Sequence, residues 1–133
     1  VNGKSYCNVR YRTMMNREQI KLGIDAALAE SANELTTEDV MAGLALNHYA
    51  LLEFGAGFLI ICTMDFPAYR ALKVCIAYGI IDSEQPHIMN VLEALAKDLK
   101  CQRIMIEGRR GWARQLSQFG YAEQYVVVTK KVN

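Results

Sequence analysis

The sequence predicts an α/β fold, a three-layer sandwich around a mixed central sheet, and three observations carry that prediction. Two apolar runs, residues 58–63 and 72–81, are joined by a longer loop containing Pro67 with a charge on either side. They read as an antiparallel hairpin, and being apolar on both faces they have the pattern of strands covered above and below by helices. Ile88, Val91, Leu92, Leu95, Ala96 and Leu99 then recur at helical spacing, the clearest amphipathic helix in the chain. A third strand pattern opens at Arg103 almost directly after that helix. A strand–helix–strand crossover of this size makes a parallel pair with a right-handed connection.

The remaining elements follow in order. Residues 4–12 are rich in aromatic and β-branched side chains and read as an edge strand. Asn16 with Gln19 forms a capping box, and Ile20, Ile24, Ala27 and Leu28 place an amphipathic helix over 16–31. Thr36 with Asp39 forms a second capping box, from which Val40, Leu44, Ala45, Leu51 and Leu52 extend a helix to just before Gly55, with His48 in register with its apolar face. Ser83 is read as the cap of the 88–99 helix, with acids in its first turn and Pro86 tolerated there. Strand 103–106, a short helix closing at Gly120-Tyr121, and a last strand over 125–130 complete the order β-α-α-β-β-α-β-α-β.

At 133 residues the chain is read as a single domain, residues 1–133, long enough for a real core. Its 15 basic and 14 acidic residues leave a net charge of +1, so no global field draws it to nucleic acid or membrane. No apolar run reaches the length of a membrane span. Cys7, Cys62, Cys75 and Cys101 form no paired motif, and His48 and His87 are far apart, so no metal site is expected. The same usage of cysteine points to a reducing, intracellular compartment, and nothing at the start has the pattern of a secretory leader.

The run Ile106-Glu107-Gly108-Arg109-Arg110-Gly111-Trp112, the short helix ending Gln118-Phe119-Gly120-Tyr121, the helix around Leu92 and the last strand pattern together carry a likeness. Residues 37–132 resemble the GCN5-related N-acetyltransferase fold. The glycine–arginine–glycine–tryptophan run is similar to small acetyltransferase-like proteins encoded among bacteriophage structural genes. The resemblance implies an acetyltransferase-like topology, acetyl-CoA as cofactor in active members, and for the phage group a virion-associated protein or one left in the host cytoplasm.

The family's chemistry maps poorly onto this chain. Its members cradle the acetyl-CoA diphosphate on a glycine-rich turn opening the long helix, where free N–H groups and the helix dipole meet the phosphates. The matching residues are Ser83, Glu84, Gln85, Pro86, His87 and Ile88. Both glycines are gone, Pro86 removes a donor, and Asp82 and Glu84 bring negative charge. The family's general acid, a tyrosine in the last helix, falls at Leu116, which has no proton to give. The resemblance therefore implies a kept fold without the transferase activity and with no cofactor. A non-catalytic interaction or assembly protein whose partners are other protein chains is the first reading. A divergent acetyl-CoA-dependent N-acetyltransferase is the alternative, with Glu107 and His87 as weak catalytic candidates and Glu53 as a distant base. It requires an opening between the strands 72–81 and 103–107. A weaker alternative is a nucleic-acid module. Arg109, Arg110 and Arg114 with Trp112 are the candidate partner-binding surface, for protein or for nucleic acid, since arginines around an exposed aromatic suit phosphates and stacked bases. The bland reading of the same residues is a solvated helix face with Trp112 packed beneath the sheet edge.

Overall fold

In the computed structural model, residues 5–6, 15–30, 34–108 and 111–132 are described. The elements are β1 (Ser5–Tyr6), α1 (Arg17–Leu28), α2 (Thr37–Ala45), β2 (Ala50–Phe54), β3 (Gly57–Asp65), β4 (Arg70–Tyr78), α3 (Gln85–Asp98), β5 (Arg103–Ile106) and α4 (Gly111–Leu116). Single 3-10 turns, Asp82–Glu84 and Ser117–Phe119, precede α3 and follow α4. The sheet is mixed. β3 pairs antiparallel with β4 on one edge and with β1 and β2 on the other, and β4 pairs parallel with β5.

Both capping boxes form. The Asn16 side chain accepts from the Gln19 N–H at 2.9 Å, and Gln19 Oε1 accepts from the Asn16 N–H at 3.0 Å. Thr36 and Asp39 exchange the same pair of bonds, and these hydrogen bonds hold the Asp39 carboxyl below its usual range. The Thr37 hydroxyl donates to Asp25 and so ties the start of α2 to α1.

Two apolar clusters fill the space on either side of the sheet. One joins Ile20, Ile24 and Val40 to Leu51, Phe58, Ile60 and Ile76, beneath α1 and α2. The other joins Leu52, Leu59, Leu72 and Val74 to Ile88, Leu92 and Ala96 of α3 and to Leu116 of α4. The predicted three layers are therefore present. The alternation of β4 is broken by a bulge: Ile60 faces Ile76 but Ile61 faces Val74, leaving Cys75 as the extra residue. Cys75 and Ile76 thus both face α1 and α2, while Val74 and Ala77 face α3.

Three expectations are corrected. The second helix stops at Ala45, and Ala50–Phe54 is a strand, not a continuation of the helix. Asn47 turns left-handed at φ 60, and the Gly43 carbonyl accepts from both His48 and Tyr49, which closes the helix. The run of apolar residues across 40–52 had helical spacing, but tertiary pairing with β3 took the second half. Ser83 is not the cap of α3: Glu84 occupies the N-cap position without a side-chain cap, and Ser83 lies in the preceding 3-10 turn. Residues 125–130 form no strand; the chain from 121 to 132 runs without regular structure. The observed order therefore lacks the predicted last strand. Most of the predicted first strand lies outside the described residues.

One arginine joins three elements at the far end of the sheet. Arg70 Nε meets Asp65 Oδ1 at 2.8 Å, and its Nη1 donates to the Leu99 carbonyl at the end of α3 at 2.9 Å. The Arg70 N–H donates to Gln102 Oε1, and the Gln102 N–H donates back to the Arg70 carbonyl, both at 2.8 Å.

Candidate functional site

The parallel strands β4 and β5 pair over Ala71–Val74 and Arg103–Ile106, while β4 alone continues to Tyr78. The gap beside the unpaired half of β4 is the place where an opening between parallel strands can admit a ligand. Here it is packed. A cavity of about 30 Å3 remains, lined among others by Ala77, Ile80, Gln85, Met89, Ile106 and Trp112. By this measure a single water needs roughly 10–15 Å3, so the space suits two or three water-sized groups.

Trp112 is the largest side chain lining this space. Its indole packs against the α3-side cluster, and Gly108 is a glycine because a Cβ there would stand 2.6 Å from Trp112 Cδ1. The two residues of the Gly108–Trp112 run thus fit each other. At the mouth, Gln115 Nε2 of α4 donates to Asp82 Oδ1 at 3.2 Å, tying α4 to the turn that leads into α3. The Gln85 N–H already donates to the Asp82 carbonyl, and Pro86 has no N–H to offer. Two carboxylates, Asp82 and Glu84, precede the helix, where they favour its positive end themselves. Gln85 is only 7 % exposed and is one of the residues lining the cavity.

Leu116 is 2 % exposed and sits among the α3-side core residues, a packing role. Tyr121 packs partly against the same cluster with its hydroxyl buried and without a hydrogen-bond partner. Burial, with the Glu93 charge second, pushes its pKa up from 10.0 to about 12. The shift has a definite sign. Below pH 10 the hydroxyl is neutral in folded and unfolded chains alike, and the stability it lends is fully present. That stability is lost as pH rises from about 10 to about 12. Tyr121→Phe is therefore expected to move the alkaline unfolding midpoint upward. At neutral pH it should leave stability unchanged or raise it by about 1 kcal/mol, because an unsatisfied hydroxyl is removed. Urea titrations at pH 7 and pH 11 check both parts.

The two weak catalytic candidates are not brought together. Glu107 Oε1 is bonded to Lys73 Nζ at 2.9 Å, and Lys73 points to the sheet face opposite α3. Burial alone would lower the Lys73 pKa, but the hydrogen bond and charge of Glu107 outweigh it and raise the value. His87 is exposed on α3 with its ring edge-on to Phe54, centroids 5.9 Å apart. Glu53 is a half-buried residue of β2. His48 is an exposed residue of the α2–β2 connection, not part of a helix face.

The arginine surface divides. Arg109 and Arg110 lie outside the described residues. Arg114 is exposed on α4. Trp112 turns inward, so the bland reading of it as a packed ring is the one the structure supports, and it is not a stacking platform. Arg103 lies over the Tyr69 ring, 4.0 Å from its centroid, and Tyr69 in turn packs on Phe66.

Among the described residues no group of three or more His, Cys, Asp or Glu side chains is placed to hold a metal. Cys62 and Cys75 approach to 3.5 Å between sulfurs. The hydrogen bond from Cys62, with burial second, pushes the Cys75 thiol far up, so it stays protonated and unreactive. Among the described residues no helix is long and apolar enough to cross a membrane.

The sequence places Leu116 on the short helix α4 and a turn with two acids before α3, and both are where the structure has them. It does not show the closure. The Gln115–Asp82 bond joins residues far apart in sequence, and only the glycine at 108 hints that a large ring must lie against the backbone there.

No protein-family model and no curated protein sequence matches the chain. Among solved structures, TTHA1254 from Thermus thermophilus, crystallised as a point mutant, superposes with a TM-score of 0.53 at 14 % identity, covering 94 % of this chain and 98 % of that chain. At that identity the likeness shows the shared mixed α/β fold alone.

Proposed function

We propose that this chain is an acetyltransferase-like domain that works without acyl transfer, as an interaction or assembly protein. The closed gap beside β4 carries the reading: about 30 Å3 remains where an acyl-CoA arm would have to lie. The residues at the helix entrance do not fit the cofactor either, since Asp82 and Glu84 would stand against its phosphates and Pro86 withholds a donor. Leu116 at the position of the family's acid agrees with both. The resemblance of the glycine–arginine–glycine–tryptophan run to small proteins of phage structural gene clusters makes a virion-associated assembly role the functional class we favour. Titration calorimetry with acetyl-CoA up to millimolar concentration is expected to give no saturable heat. Saturable binding with sub-millimolar affinity would overturn the reading in favour of a divergent N-acetyltransferase.

A further inference from the structure

We propose that residues 125–130 of one copy add as a strand to the free edge of β5 in a second copy, giving a two-fold, strand-exchanged dimer. The inference names the partner in the assembly role proposed above and rests on that reading, but its test is separate from the acetyl-CoA titration. β5 is the last strand in the pairing order, and among the described residues it pairs on its β4 side only. Its side chains Ile104, Met105 and Ile106 are only half-buried, so the core thins at this edge.

The same chain carries a segment fit to cover it. Among the described residues, the exposed large hydrophobic side chains include Tyr125, Val126, Val127, Val128 and Val132, all in the tail, with Val128 88 % exposed. Tyr-Val-Val-Val-Thr has strong strand propensity and no proline, glycine or charge. An exposed run of this kind adds to open sheet edges.

Among the described residues both the edge and the segment are left unpaired, which points to a second copy. Extended, the segment would show Tyr125 and Val127 on one face and Val126 and Val128 on the other, the pattern of an interior strand and not of an edge. Added to its own β5 it would become a new apolar edge. Exchanged about a two-fold axis, the two donated strands lie side by side in the middle of one continuous sheet, and no β5 edge is left. Tyr121 is anchored to its own core, and residues 122–124 reach about 10 Å, roughly two strand spacings, enough to cross to a neighbour.

The test is the solution mass of the full chain by light scattering across concentrations, with hydrogen exchange at residues 125–130. The expected result is twice the 15.0 kDa chain mass, with exchange in 125–130 slowing as the dimer forms. The double variant Val126→Lys, Val128→Lys, which alters only exposed side chains, is expected to be monomeric with an unchanged circular dichroism spectrum. A monomer at all concentrations, a dimer that survives the lysine pair, or protection of 125–130 that does not depend on concentration would overturn the proposal. Open-ended growth beyond the dimer would overturn it as well.

Discussion

Phe58→Ala is expected to cost about 3–5 kcal/mol, the range for emptying a fully buried aromatic site, out of a total of about 5–15 kcal/mol for a domain. Phe58, near the start of β3, is 0 % exposed and packs its ring against α1. Helix α1 comes down onto it through a glycine: a Cβ at Gly23 would stand 2.6 Å from Phe58 Cε2 and 2.8 Å from Tyr78 Cδ2. The Tyr78 ring, 5.6 Å away, blocks any sideways retreat. A urea titration should show a lower midpoint at unchanged slope. Gly23→Ala should cost about 1–3 kcal/mol by overpacking the same contact. In a Phe58→Leu background the added methyl has room, so its cost should fall, and a double-mutant cycle should show a clear coupling. Additive costs would mean that α1 does not rest on this ring.

Trp112→Ala is expected to have the second largest effect, somewhat below the about 3–5 kcal/mol of a fully buried tryptophan because the indole is partly exposed. The change would enlarge the gap beside β4 and free Gly108 of its close neighbour. It should not by itself create acetyl-CoA binding, because Asp82 and Glu84 still face the helix entrance. Calorimetry on the variant separates the two obstacles. Binding gained on removing the ring alone would mean that the carboxylates do not repel the phosphates.

Local patterns carried much of the fold. The two capping boxes, the helix of Ile88 to Leu99, the β3–β4 hairpin and the parallel β4–β5 pair were all legible, because each is fixed by periodicity or by short-range chemistry. The second strand was not. Leu51 and Leu52 continue the helical spacing of Val40 and Leu44 by coincidence, and only pairing with Leu59 and Ile60 reveals them as strand residues. The bulge at Cys75 has no local signature either, since a run apolar on both faces hides a slip in alternation. The tail at 125–130 shows the converse: strong propensity without a partner in the same chain does not make a strand. At the candidate site, the glycine-free turn before α3 and the leucine at 116 could be read directly. The tryptophan that fills the gap looked equally like a surface anchor, because burial is a property of the whole packing and not of its neighbours in sequence.

The Arg70 clasp has a consequence for motion. A salt bridge to the hairpin strand, a bond to the Leu99 carbonyl at the end of α3 and a reciprocal pair with Gln102 leave no slack between the loop at 66–69, the end of the helix and the start of β5. The stacking of Arg103 on Tyr69 adds a fourth tie from the same strand to the same loop. These parts should therefore shift as one rigid unit. A partner that tilts the hairpin loop would carry the edge of β5 with it, and one seated on that edge would be felt at the loop.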